Sequence, residues 1–154
     1  MLNIPALTDH IGFVKSHPEM FLGETTAHPA CLLADVASSA CLINTNEVVL
    51  NRWGRWWYVA SAEDWLCGAD AVFHSIVPFP EFRRNSFRPE ILLTAFACDV
   101  LTVSELGGRM IVGDSDDLPS FLSLAKRNGY ARIVAFAMSA EVAPSTKIDP
   151  VNES

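Results

Sequence analysis

The chain has 154 residues, a length that suits one domain with a core of its own. Hydrophobic residues make up 50% of it and charged residues 19%, which excludes general disorder. Its formal net charge of −7 at pH 7 argues against a nucleic-acid binder, because phosphate binding needs a cationic surface.

The cysteines show neither the C-x-x-C spacing nor a neighbouring histidine that a zinc site needs. Each of them lies in an apolar stretch, so we expect reduced, buried thiols and a cytoplasmic location. No stretch approaches the ~18 consecutive apolar residues of a membrane span, and the amino terminus lacks the pattern of a signal peptide. We therefore expect no membrane, no metal and no other cofactor. The four cysteines are Cys31, Cys41, Cys67 and Cys98.

Apolar periodicity and helix-boundary residues predict four helices. Three of them begin at a proline, whose missing N–H costs nothing in the first turn. The third contains β-branched residues that would suit a strand as well as a helix. The four predicted helices cover residues 5–16, 29–43, 89–106 and 120–129.

Alternating or continuous apolar runs predict five strands. Gly54 supplies the left-handed residue that a short hairpin needs between the first two strands. The last two strands flank the fourth helix and form a β-α-β unit with it. The five predicted strands cover residues 47–51, 55–60, 71–77, 109–114 and 131–138.

These elements combine into an α+β fold, a mixed α/β arrangement in one domain. We expect a mixed sheet of about five strands, with helices covering at least one of its faces. The domain is expected to span residues 1–140, and residues 141–154 read as a loose tail because they contain two prolines and little apolar pattern.

All the tryptophans fall between positions 53 and 65, and most of them lie on the predicted hairpin. Side chains alternate along a strand, so Trp57 and Val59 should share one face while Trp56 and Tyr58 share the other. We expect one of these faces to be an exposed recognition surface, because paired aromatic residues supply large contact areas. Packing of both faces into the core is the alternative.

The second candidate site is a cationic segment, residues 79–90, which follows the hairpin. Arginine side chains bind carboxylates and phosphates in bidentate fashion. Three arginines lie close together in this segment, and two more on the hairpin are expected to converge on them. His74 lies in an apolar run nearby and would serve as an acid or base if the cluster lined a cleft. The alternative is a segment pinned to the core by its phenylalanines, with internally paired arginines. The five arginines are Arg83, Arg84, Arg88, Arg52 and Arg55.

The acidic run Asp114, Asp116 and Asp117 follows the fourth predicted strand. Carboxylates in this position suit Mg²⁺ or Ca²⁺, but the run lacks the twelve-residue calcium-loop pattern. Because it precedes a helix, we interpret it as a helix cap.

The sequence carries no recognised catalytic motif, and we assign no catalytic residue. We expect a small acidic interaction protein of the accessory or immunity type. It would bind a protein partner, or a second copy of itself, through the aromatic hairpin and the adjacent arginine segment. The alternative is a binding protein or enzyme for an anionic small molecule, held by the arginines with His74 beside them.

Overall fold

A computed structural model describes residues 9–23, 26–43, 47–79 and 87–139 of the chain. These residues form an α+β domain with a five-stranded sheet. The helices are α1 (His10–Ser16), α2 (Pro18–Leu22), α3 (Pro29–Ile43), α4 (Glu90–Phe96) and α5 (Leu118–Asn128), with a 3₁₀ helix at Asp70–Phe73. The strands are β1 (Val49–Trp53), β2 (Trp56–Ser61), β3 (Asp99–Ser104), β4 (Gly107–Val112) and β5 (Arg132–Ala137).

The sheet has the strand order β1-β2-β5-β3-β4, and adjacent strands are antiparallel throughout. Two hairpins, β1–β2 and β3–β4, therefore flank the last strand, β5. The mixed pairing expected from the sequence does not occur, because β3 lies between the parallel strands β4 and β5. The predicted β-α-β unit is consistent with the order β4, α5 and β5.

Helices cover both faces of the sheet. α5 packs Phe121 and Ala125 against one face, which includes Leu101 and Ile133. α3 and α4 pack on the other face, where Val134 lies. All six residues of β5 are buried. Apart from Arg132, the side chains on both faces of this central strand are apolar, as burial of both faces requires.

The predicted helix over residues 89–106 is wrong in its second half. The helical part ends at Phe96, and Ala97 is already extended, with φ −91° and ψ 157°. The chain then continues as β3, which pairs with both β4 and β5. β3 is buried on both faces at Val100–Val103, so its sequence has no alternation to separate it from a buried helix.

The strand predicted over residues 71–77 is also wrong, because a 3₁₀ helix begins at Asp70. The chain enters it after Cys67 and Gly68, which have φ values of 52° and 78°. Long-range ion pairs from Asp70 to Arg132 and Arg109 then hold this turn. A local pattern cannot reveal partners so distant in sequence.

The first predicted helix begins later than expected within the described residues. Asp9 caps α1 by accepting a hydrogen bond from the N–H of Gly12 at 2.8 Å. The proline expected to start this helix, Pro5, and the tail expected over residues 141–154 lie outside the described residues.

The four cysteines are free, as expected, but all are exposed rather than buried. In α3 the buried positions include Leu32, Val36 and Ala40, which leaves Cys31 and Cys41 on the outward face. The apolar neighbours of these two cysteines face the core, whereas the thiols face outward. An apolar sequence context therefore does not show that a thiol is buried.

Candidate interaction surface

The β1–β2 hairpin closes at the pair Trp53 and Trp56 around a two-residue turn. Gly54 is the first turn residue and has φ +62°, the left-handed conformation that glycine adopts without a steric cost. This turn fixes the register in which Arg52 faces Trp57 and Leu50 faces Val59. The predicted hairpin and its two alternating faces are therefore confirmed.

One face of the hairpin is sealed beneath α5. Trp56 is 1% exposed and Tyr58 is also buried. The Phe121 ring meets both of these rings in edge-to-face geometry, with centroids 5.5 and 5.7 Å away. Of the two hairpin faces, the one that carries Trp56 and Tyr58 is therefore covered by a helix of the same chain.

The polar atoms of these two rings are also engaged within the chain. Trp56 Nε1 donates a hydrogen bond to Asp117 Oδ2 at 2.8 Å. Burial raises the pKa of Tyr58, and Tyr130 adds to the rise, whereas a hydrogen bond with the Asn51 side chain lowers it. Both residues therefore belong to the core of the domain.

The opposite face of the hairpin reaches the surface beside β1. The guanidinium of Arg52 lies over the half-buried Trp57 ring, 4.3 Å from its centroid. On the same side of β1, Leu50 is 47% exposed. We call Leu50, Arg52 and Trp57 the hairpin edge; it joins an apolar side chain, an aromatic ring and a cation.

β1 is an edge strand, and its outer backbone groups face away from β2. One of them is already occupied, because the N–H of Arg52 donates to Asn51 Oδ1 at 2.8 Å. This contact opposes the addition of another strand at that position. The hairpin edge thus offers side chains, more than backbone, for contact.

Arg55 does not converge on the other arginines. Its Nη1 donates to Asp99 Oδ2 at 2.6 Å and to the carbonyl oxygen of Ser139 at 2.9 Å. Its guanidinium also lies 4.9 Å from the centroid of the Trp56 ring. Arg55 is therefore paired with Asp99 within the chain, which agrees with the alternative interpretation of the arginines as internally paired.

The predicted arginine cluster is not assembled in the described part of the chain. Arg83 and Arg84 lie outside the described residues. Arg88 turns inward, where its Nε lies 3.8 Å from Glu90 Oε1. His74 is exposed at the carboxyl end of the 3₁₀ helix. The proposed convergence of Arg52 and Arg55 on Arg88 is therefore not seen.

The acidic run is tied to the hairpin. Asp117 precedes α5, but its side chain makes no cap hydrogen bond. Its Oδ2 instead accepts hydrogen bonds from Trp56 Nε1 and, at 3.1 Å, from Ser115 Oγ. The predicted helix cap is wrong for this carboxylate, which instead holds the tryptophan in place. Within the described ranges, no group of three or more His, Cys, Asp or Glu residues is arranged to hold a metal ion.

A buried ion-pair network that the sequence analysis missed lies at the start of β5. Arg132 is 1% exposed and donates from Nε and Nη2 to the two carboxylate oxygens of Asp64, at 2.8 and 3.0 Å. Its Nη1 bonds to Asp70 at 3.2 Å and to the Thr102 hydroxyl at 2.9 Å. Nothing in the sequence links these distant residues. The one available signal is Arg132 itself, an arginine at the start of an apolar strand.

This network changes the titration of Asp64. Burial alone would raise the pKa of Asp64, but hydrogen bonds and attraction from Arg132 act against it. The N–H groups of Leu66 and Gly68 also bond to the carboxylate, and the net result is a lowered pKa.

Comparison of the chain with protein-family models, curated proteins and solved structures finds no match to any of them. Among the described helices, none has the length and apolar character needed to cross a membrane.

Proposed function

We propose that this chain is a small interaction protein that binds an acidic segment of a protein partner through the hairpin edge. The observation that carries this proposal is the stacking of the Arg52 guanidinium on the Trp57 ring beside the exposed Leu50. Tryptophan and arginine dominate the energetics of protein interfaces, because they combine a large contact area with directional hydrogen bonding.

The charge of the hairpin edge supports an acidic partner. The chain is acidic overall, with a net charge of −7, so an acidic segment is attracted only where a cation faces solvent. Arg55 forms an ion pair with Asp99 of the same chain, whereas Arg52 is exposed and its guanidinium lies over the Trp57 ring. The stacked guanidinium is held in one place, which lowers the entropy lost when a carboxylate binds it.

The free cysteines support an intracellular location for this function. Exposed thiols persist in reduced form in the cytosol and are prone to oxidation outside it. We place the interaction in the cytoplasm on this basis.

The experiment is affinity capture from the source cells, followed by quantitative mass spectrometry and binding assays with each purified partner. The variants are Leu50→Asp and Arg52→Ala, which alter the hairpin edge without touching the buried aromatic face. We expect each to weaken binding at least tenfold, because truncation of interface hot spots costs about 2 kcal/mol or more. Leu106→Asp is the matched control, since Leu106 is 95% exposed on the other hairpin of the sheet.

Circular dichroism and thermal melting should show that all three variants stay folded. Binding that is lost equally in Leu106→Asp, or kept in both Leu50→Asp and Arg52→Ala, would contradict the proposal. Sedimentation velocity over a range of concentrations detects self-association. A wild-type dimer that dissociates in the Arg52→Ala variant would show that the partner is a second copy and would overturn the proposed separate partner.

A further inference from the structure

α4 carries a carboxyl group into the core. Glu90 is the first residue of this helix and is 0% exposed. Its Oε2 accepts a hydrogen bond from Trp65 Nε1 at 3.1 Å. Its Oε1 has no hydrogen-bond partner in the described part of the chain. A buried polar atom without a partner is costly, so this arrangement calls for an explanation.

The complementary group lies beside it. Arg88 Nε and Nη2 are buried and also have no hydrogen-bond partner within the described residues. These two nitrogens form the edge of the guanidinium that pairs with both oxygens of a carboxylate. The Nε atom lies 3.8 Å from Glu90 Oε1, which is an ion-pair contact but too long for a hydrogen bond.

The same chain shows how this edge looks when it is engaged. In Arg132 the corresponding nitrogens donate to Asp64 at 2.8 and 3.0 Å. Both arginines are largely buried, at 1% side-chain exposure for Arg132 and 15% for Arg88. Both pairs join a guanidinium to a carboxyl group, but only the Arg132–Asp64 pair is hydrogen-bonded.

The carboxyl groups of the two pairs differ in burial, because the Glu90 side chain is 0% exposed whereas that of Asp64 is 26% exposed. Burial raises the pKa of Glu90, whereas attraction to Arg88, the Trp65 hydrogen bond and, last, attraction to Arg132 lower it without cancelling the rise. A neutral carboxyl group attracts a guanidinium more weakly than a carboxylate does, so loss of the Glu90 proton should draw Arg88 Nε closer than 3.8 Å.

Other charged groups near α4 have partners elsewhere or face solvent. α4 packs against α1, α3, β3 and the 3₁₀ helix. Three titratable side chains on these elements are bonded to other groups: His10, Asp70 and Asp99. Two more, Lys15 and Asp35, are exposed. Among the described residues, Arg88 is thus the charged group whose side chain lies beside Glu90 with its donors unengaged.

We propose that Glu90 and Arg88 form a proton-controlled ion pair that tightens the base at which Val77 and Pro78 meet Phe87 and Arg88. When Glu90 loses its proton, the Nε–Nη2 edge of Arg88 closes onto the carboxylate. Arg88 is placed to transmit this change, because its N–H donates to the carbonyl oxygen of Val77 at 2.7 Å and its guanidinium lies 5.5 Å from the centroid of the Phe79 ring. Pro78 and Phe87 pair at the same base.

The test is an NMR titration of the full chain labelled with ¹³C at glutamate carboxyls and ¹⁵N at arginine side chains. Glu90→Gln identifies the Glu90 signal. We expect Glu90 to titrate above the ordinary value of 4.5. The Arg88 Nε–H signal should shift with the same midpoint in the wild type, and this shift should disappear in Glu90→Gln.

The Arg132 Nε–H signal is an internal control, because its edge is already engaged by Asp64 and should not follow the Glu90 midpoint. If Glu90→Gln fails to fold, through-bond assignment of the wild-type spectrum identifies the Glu90 signal, and the wild-type titration then decides the question. A Glu90 midpoint at or below 4.5, or an Arg88 signal that does not follow Glu90, would overturn the proposal.

Discussion

Trp56 and Trp57 are neighbours in the sequence, yet their environments differ because side chains alternate along β2. Trp56 is 1% exposed and bonded to Asp117, whereas Trp57 is half-buried beneath the Arg52 guanidinium. The first ring belongs to the core and the second to the surface. The same stretch of aromatic sequence thus stabilises the fold and supplies the contact site that we propose.

Alanine substitution should separate these two roles. Trp56→Ala should lower the free energy of unfolding by about 3–5 kcal/mol, because it leaves a cavity beside Phe121 and removes the donor to Asp117. Trp57→Ala should cost about 1–2 kcal/mol, since part of the ring is already in water. Urea unfolding monitored by circular dichroism measures both; equal losses would contradict the assignment.

The buried Arg132 depends on Asp64 for its charge balance. Asp64→Asn should lower the free energy of unfolding by about 3 kcal/mol at neutral pH, because it leaves a buried guanidinium incompletely compensated. The exposed Asp114 offers a matched control, in which Asp114→Asn should change stability by less than about 0.5 kcal/mol.

The pH dependence of this pair has a definite sign. The folded-state pKa of Asp64 is below its ordinary value of 3.8, so its stabilising effect is present above that pH and is lost as the pH falls through the folded-state pKa. The difference in stability between wild type and Asp64→Asn should therefore shrink in acid. Chemical denaturation between pH 7 and pH 2 checks this, and a constant difference would argue against the ion pair.

At the scale of elements, two glycines have the left-handed backbone conformation for different reasons. Gly54 has φ +62° at the tip of the first hairpin, with open space where a Cβ would lie. Gly113 has φ +87° after β4, and a Cβ there would overlap the carboxylate of Asp99. That carboxylate is fixed by its ion pair with Arg55.

Gly54→Ala should cost about 1–2 kcal/mol, the strain of a left-handed alanine. Gly113→Ala should cost more, because it adds displacement of Asp99 to the same strain. Thermal unfolding of the two variants compares them directly. A smaller loss for Gly113→Ala than for Gly54→Ala would show that the Asp99 contact is not rigid.

The elements that could be predicted from the sequence are those whose boundaries have local causes. The β1–β2 hairpin follows from Gly54, and the end of α5 follows from Gly129, which has φ +69°. The sequence pattern predicts the residues of β3 as the end of a helix, because burial on both faces removes the alternation of a strand. Its identity depends on β5, which follows it by about thirty positions and lies next to it in the sheet.

The candidate site could be predicted only in part, for the same reason. Alternation along β2 correctly separates Trp57 from Trp56, but it cannot say which of the two faces α5 covers. The pairing of Arg55 with Asp99 joins residues 44 positions apart. Leu50 was predicted to lie on a strand, but its exposure follows from the position of β1 at the edge of the sheet.

At the scale of the whole molecule, the last strand is inserted between two hairpins, and helices cover both faces. This arrangement leaves β1 and β4 as the two edges of the sheet. The β1 edge carries the stacked Arg52, whereas on the β4 edge Arg109 is paired with Asp70 at 2.9 Å. The asymmetry of the two edges favours the first hairpin as the site for the acidic partner that we propose.

Site-specific photo-crosslinking in living cells tests this account most directly. A benzophenone side chain placed at position 50 should yield a discrete crosslinked product containing a partner protein, and Arg52→Ala should abolish that product. The same side chain at position 106, on the opposite hairpin, should yield no such product. Crosslinking at position 106 alone, at both positions equally, or at neither position would contradict the assignment of the hairpin edge as the binding surface.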